Sequence, residues 1–210
     1  PQRKGISFVA RPNPGAHAIT QCMTLNGVLI YLLKFAKTAR EVRNILNQDL
    51  VLVNQKVRRD PHHAVGLFDI ISFVTLKKHY RVLYNQKGKF TVKEITEPES
   101  KLQLVKIIGK TLLKKSKLQL NFSNGSNLLI EKDGYRVGDS LILEDHKIKK
   151  VLKMEKGCTI YLFDGAHMGH TGKLEHINEG KGKSISTIKY TIGDKTYITT
   201  KDYAFVIEHE

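Results

Sequence analysis

The chain has 210 residues, 40% of them hydrophobic, enough for one large domain or two to three small ones with a packed core. Lys and Arg number 35 against 20 Asp and Glu, a net charge of +15, and the excess is one-sided: residues 1–120 carry 22 basic and 7 acidic side chains, residues 121–210 carry 13 of each. No apolar run reaches the ~18 residues of a membrane helix, the two cysteines stand in no metal-type spacing, as suits a reduced cytosolic location, and a field of this sign serves a polyanion binder, not an enzyme acting on small neutral substrates.

Residues 1–24 are expected to be an irregular arm or tail, because Pro12 and Pro14 exclude a regular helix. The first residue is not Met, as a trimmed N-terminus would leave it. "LNGVLIYLLKFA" (25–36) predicts a buried helix; it is too short to span a bilayer, and Lys34 interrupts it. Thr38 followed three residues later by Glu41 is a capping-box signature, and Val42, Ile45 and Leu46 form an apolar stripe behind it. Arg40, Arg43, Asn44 and Asn47 then fall on the other faces of a helix of about ten residues. "LVLVNQKV" alternates like a strand and turns at Asn54-Gln55, where Asn tolerates a positive φ. "VGLFDIISF" predicts a further strand starting near Gly66 and Asp69.

Beyond residue 80 the pattern is almost wholly β. "YRVLYNQKGKFTV" predicts a hairpin, and short runs follow with turn residues about every ten positions, a spacing that favours small barrels over one sandwich. "EGKGK" (179–183) is expected as a flexible loop, and the last strands turn at Gly193-Asp194. The fold class is therefore α+β, mostly β.

A capped helix fused to a tight hairpin, with Lys37, Thr38, Arg40 and Arg43 on one and Asn54, Lys56, Arg58 and Arg59 on the other, fits a compact RNA-binding unit. A solvated helix face beside a basic loop would give the same pattern. "DGAHMGHTGKL" places glycines at 165, 169 and 172. It lacks the Gly-Lys-Ser/Thr of a phosphate-binding loop, and strands flank it, so a structural turn and a direct RNA contact both fit. His62, His63, His167, His170 and His176 have no cysteine pair and no known zinc spacing, so neither metal nor cofactor is expected. Asp69, Asp139 and Asp194 are expected in turns at strand starts, none visibly paired with a base, and no nucleophile elbow is present.

"TAREVRNILNQDLVLVNQKVRRD…GLFDIIS" resembles the S-four RNA-binding domain, and the ordered set "RPNPGAH", "REVRNIL", "KVRRD", "GLFDIIS", "YRVLYNQKGKF", "QLNFSNGSN", "YRVGDSL", "GAHMGHTGKL" and "TTKDYAFVIE" resembles the S-four-e small-subunit ribosomal proteins of archaea and eukaryotes. The resemblance implies an arm and first helix over 1–35, an RNA-binding domain over 36–80, a central β domain over 81–154 and an SH3-like barrel with a KOW motif over 155–210. It also implies a non-enzymatic component of the small ribosomal subunit, a monomer when free, whose partners are small-subunit rRNA and neighbouring ribosomal proteins. By position it carries RNA contacts onto Arg40, Arg43, Asn54, Lys56, Arg58 and Arg59 and onto Gly165, Gly169, His170 and Gly172. His170 stands where the family usually has Arg, Asp164 where a Gly is common, and Gln55 where the hairpin turn usually has Gly. No very basic extension precedes Pro1 and no long basic tail follows Glu210, which leans towards an archaeal member. The alternatives are a free RNA-binding regulator or a KOW-type transcription or translation factor. A pseudouridine synthase can carry the same small domain, but the short β runs after residue 80 leave no room for its large catalytic domain.

Overall fold

The shift from 3.6-residue to two-residue periodicity after residue 47 becomes, in a computed structural model of the chain, one capped helix followed by a series of short strands. The structure describes residues 9–114, 117–131, 133–145, 147–180 and 185–208, which divide into two units. One runs up to Leu83 and takes in Lys89–Gln103; the other comprises Tyr84–Gly88 and the residues from Leu104 onward.

In the first unit, β1 (Met23–Thr24) pairs antiparallel with β4 (Ala64–Val65). The Thr24 hydroxyl accepts from Gly27 N–H and so caps α1 (Leu25–Gly27), which runs straight into a π-helical turn, Val28–Leu32. The helix expected over 25–36 thus stops at Leu32. The chain reverses at Lys34, which lies in the left-handed region (φ 57°), and Phe35 N–H donates back to Leu29 O at 3.0 Å. The second helix, α2 (Ala39–Asn47), lies where the Thr38 signature predicts. A sheet ordered β3-β2-β5-β6-β7 follows, with β2 (Val51–Val53), β3 (Lys56–Val57), β5 (Ile70–Phe73), β6 (Lys78–Tyr84) and β7 (Phe90–Ile95). The single strand expected over 65–73 is broken into β4 and β5, because the Asp69 carboxylate accepts from Gly66 N–H and bends the intervening chain. A short helix, α3 (Glu97–Ser100), is closed by a capping box between Thr96 and Glu99, a signal that the all-β expectation beyond residue 80 passed over. Leu25, Val28, Leu29, Val42, Leu46, Val51, Val65 and Ile71, all fully buried, make this unit's core.

The second unit has two five-stranded sheets. The first is ordered β10-β9-β8-β11-β12: β8 (Leu102–Leu112), β9 (Leu118–Phe122), β10 (Asn127–Ile130), β11 (Ser140–Glu144) and β12 (Lys147–Leu152). The other is ordered β16-β15-β14-β13-β17: β13 (Thr159–Leu162), β14 (Thr171–Asn178), β15 (Thr187–Ile192), β16 (Lys195–Thr200) and β17 (Ala204–Ile207). Each has its own core, one around Ile107, Leu120 and Leu141, the other around Ile160, Leu174, Ile188 and Tyr190. Buried polar groups tie the two sheets together. Val206 N–H donates to Ser140 Oγ at 3.0 Å. The ammonium of Lys106, itself 6% exposed, donates to the carbonyls of Asp202 and Ala204, each at 2.8 Å. The turn at Gly193 forms as predicted (φ 60°); residues 181–183 of the loop expected at 179–183 lie outside the described residues.

Candidate nucleic-acid interface

The basic surface begins with α2. Val42 and Leu46 are fully buried and Ile45 packs against the same core, which leaves Arg40, Arg43, Asn44 and Asn47 exposed. At the N-terminus Thr38 Oγ1 accepts from Glu41 N–H at 3.3 Å, as expected. Glu41 reaches one residue further back than an ideal capping box, its Oε2 accepting from Lys37 N–H at 2.8 Å. That bond, more than any charge, holds the Glu41 carboxyl below its usual pKa. Lys37, Thr38, Arg40 and Arg43 are all exposed, and among the described residues neither Arg40 nor Arg43 has an ion-pair partner.

The hairpin joins this surface through Arg59. Its Nε and Nη2 donate to the two oxygens of Asp49, two residues past α2, so the chain leaving the hairpin is tied to the end of the helix. Lys56 is exposed on β3, the edge strand of its sheet. Arg58 is half-buried; its main-chain N–H donates to Val51 O at 3.3 Å, and its Nε is buried with no hydrogen-bond partner among the described residues. Asn54 and Gln55 both have positive φ (49° and 66°), the primed two-residue turn that suits a hairpin's twist. Asn54, expected to face RNA, turns its side chain inward: Nδ2 donates to Asp69 Oδ1 at 2.7 Å, and Oδ1 accepts from Ile70 N–H at 2.9 Å.

Asp69 is the main correction to the sequence reading, which saw no base beside it. Its carboxylate, 4% exposed, accepts from His17 Nε2 at 2.8 Å. The His17 pKa is raised: burial alone would pull it down, but the hydrogen bond and negative charge of Asp69 outweigh that. A methyl on Gly66 would lie 2.4 Å from the His17 ring, so the glycine makes room for the imidazole. The arm is held again further back, by Asn13 Nδ2 on Asp60 Oδ2 (2.9 Å), Asn13 N–H on His62 O (2.9 Å) and the His62 ring on Arg11 O (2.9 Å). Nothing in the spacing of residues 11–17 and 60–69 announces these pairings. Only the spare polar side chains on both segments hint at them.

The glycine loop belongs to the second unit. Gly169 (φ 81°) packs so closely that a methyl there would lie 2.3 Å from Asn85 O, and one on Gly172 would lie 2.8 Å from Thr191 O. Both glycines are therefore needed for close backbone approach. Gly165 (φ 86°) is exposed, and His170 is half-buried with its Nδ1 at 3.3 Å from His167 O. Beside the loop, Thr159, Thr171, Gly172, Lys173, Thr191 and Gly193 line an open depression of about 370 Å³. No cluster of metal-ligating side chains occurs among the described residues, and no helix among them is long and apolar enough to cross a membrane.

Helix α2 and its hairpin lie within residues 25–71, which match the family model of the S4 domain; residues 76–150 match that of ribosomal family S4e. The small ribosomal subunit protein eS4 of Methanocella arvoryzae is 35% identical, over 98% of this chain and 87% of that protein. The protein of the same name from Methanocaldococcus jannaschii is also 35% identical, over 99% and 88%. Among solved structures, the crystal structure of the 30S ribosomal protein S4e from Thermoplasma acidophilum matches with a TM-score of 0.77 and 28% identity, covering 89% of this chain and 95% of that one. The fold is thus that of an S4-domain protein with a β-rich remainder. The chain belongs to the eS4 family of small ribosomal subunit proteins.

Proposed function

We propose that the chain is a structural, non-enzymatic constituent of the small ribosomal subunit and that it grips rRNA through residues 36–80, with Arg40, Arg43, Lys56, Arg58 and Arg59 facing the phosphate backbone. The observation that carries this reading is the set of exposed cations that α2 and β3 present together: among the described residues Arg40, Arg43 and Lys56 have no carboxylate partner and keep their charge available to a phosphate. Family membership and the excess of basic residues before position 120 support it. Thr38 and Lys37 frame the helix N-terminus, and Asn54 shapes the hairpin from inside. Gly165, the exposed member of the glycine loop, is the residue there that rRNA could approach, with His170 behind it. Gly169 and Gly172 serve the packing of the loop. The remaining partners are rRNA-bound neighbouring proteins.

The test is a titration of the chain with a small-subunit rRNA segment at several salt concentrations. Engagement of about six phosphates gives a slope of roughly −4 to −5 in log K against log[salt]. The double variant Arg40→Glu, Arg43→Glu should lose most of that dependence and fail to stay on small subunits through a high-salt wash. A flat salt titration of the unaltered chain would overturn the reading. Tight binding to free RNA without retention on the particle would favour a free RNA-binding regulator.

A further inference from the structure

The hairpin that bears Lys56 and Arg58 is poorly secured by its own pairing. β3 is two residues long and lies at the sheet edge, paired with β2 through Leu52↔Val57 and Val53↔Lys56 and followed by one longer main-chain bond, Arg58 N–H to Val51 O at 3.3 Å. Its turn places Asn54 and Gln55 in the left-handed region, which costs non-glycine residues free energy unless their surroundings hold them there. Gln55 is held by one bond, Nε2 to Lys101 O at 3.2 Å. Asn54 is held at both side-chain atoms, and the chain of bonds that holds it continues: Asn54 Nδ2 to Asp69 Oδ1, then Asp69 Oδ2 to His17 Nε2 and Gly66 N–H, all at 2.7–2.8 Å. The link is shielded from water, with the His17 and Asp69 side chains 10% and 4% exposed. Because a carboxylate only accepts, His17 must be the donor. Removing it would leave a buried carboxylate one donor short and free the arm from the turn.

We infer that His17 and Asp69 are positioning residues for the RNA-facing hairpin: the N-terminal arm, through His17, Asp69 and Asn54, fixes the turn so that Lys56 and Arg58 are pre-aimed at the backbone before RNA arrives. This rests on the reading above, that the helix and hairpin bind rRNA. Neither residue touches RNA in this scheme. Their contribution is the ordering cost that a loose hairpin would otherwise meet on binding.

The experiment compares four full-length variants with the unaltered chain: His17→Ala, His17→Gln, Gly66→Ala and the Arg40→Glu, Arg43→Glu pair. Melting curves come first, and RNA titrations are run well below the lowest midpoint. His17→Ala should bind about 3- to 10-fold more weakly, with a salt slope smaller in magnitude by about one, since a loose hairpin delivers fewer cations at once. His17→Gln, whose amide can still donate to Asp69, should recover to within about twofold. Gly66→Ala keeps every polar group and pushes the His17 ring aside, so it should reproduce the loss. If His17→Ala does not fold, the contrast between His17→Gln and Gly66→Ala decides alone. Unchanged affinity and slope in Gly66→Ala and His17→Ala, beside a clear loss in the arginine pair, would overturn the positioning role and leave the rRNA reading standing. An arginine pair that binds as the unaltered chain does would overturn the rRNA reading itself.

Discussion

Arg59 lays two guanidinium nitrogens on the Asp49 carboxylate, Nε on Oδ1 at 2.7 Å and Nη2 on Oδ2 at 2.6 Å. The bidentate pair holds the Asp49 carboxyl below its usual pKa, so it is intact wherever RNA binding is measured. A cation so matched has less field to give to a phosphate than Arg40 or Arg43. Asp49→Asn should therefore tighten RNA binding and steepen the salt slope by about one, while Arg59→Ala should weaken binding less than Arg43→Ala. Parallel titrations at two salt concentrations check both, and a weaker-binding Asp49→Asn would mean that the pair is needed to aim Arg59.

The His17–Asp69 pair makes stability depend on pH with a definite sign. The folded-state pKa of His17 is raised above its usual 6.5, so the folded chain holds that proton more tightly than the unfolded chain. The stabilisation is complete below about pH 6.5 and fades as pH rises through the folded value. Denaturant melts of the unaltered chain and His17→Gln should differ most below about pH 6.5, and the difference should shrink as pH rises through the raised folded value. The neighbouring His63 has a lowered pKa, chiefly through burial and then through Arg58, and the His17 charge also lowers it, so a change in His63 titration is part of the measured difference.

Lys106 runs the other way. Burial pulls its pKa from 10.5 down to about 8, despite the favourable charge of Asp202. Between those values the unfolded chain binds the proton and the folded one does not, so stability from this group rises with pH across the window. Measured against Lys106→Met, the unaltered chain should gain on the order of 2–3 kcal/mol from pH 8 to 10.5. Paired denaturant melts across that range check it, and a flat difference would mean that the three carbonyls around Nζ hold the ammonium charged throughout.

Two glycines of one loop should respond unequally. At Gly165 the nearest atom to an added methyl is Tyr203 Cδ2 at 3.4 Å, so alanine there meets mainly the positive-φ penalty, about 1 kcal/mol. At Gly169 the methyl would also strike the Asn85 carbonyl at 2.3 Å, and the cost should reach roughly 3 kcal/mol or more. Thermal melts of Gly165→Ala and Gly169→Ala rank the two.

The parts of this structure that local chemistry decides were legible in the sequence. Thr38, the Val42–Ile45–Leu46 stripe and the Asn54-Gln55 turn each act within a few residues of themselves, and α2 and the β2–β3 hairpin formed where they pointed. The extent of the first helix was less so, because a positive φ at Lys34 ends it and lysine is no marker of such a turn. The pairings that organise the candidate interface join residues far apart in the chain: His17 with Asp69, Arg59 with Asp49, Asn13 with Asp60. Single polar side chains in loops carry no sign of their partner. Asn54 shows how this misleads, since the same amide that suits an RNA contact is spent on Asp69 and Ile70.

The membership of Tyr84–Gly88 in the second unit carries a consequence for the chain's own synthesis. Both main-chain groups of Tyr84 are met by one hydroxyl, Tyr161 Oη, which accepts from its N–H and donates to its carbonyl, 77 residues further on. At about 5–20 residues per second, that partner follows roughly 4–15 s later. All residues of the S4-domain unit have been made once Gln103 is added, whereas the hydroxyl that bonds Tyr84 arrives only with β13. Translation order therefore completes the unit that holds α2 and the β2–β3 hairpin while the rest of the polypeptide is still being assembled.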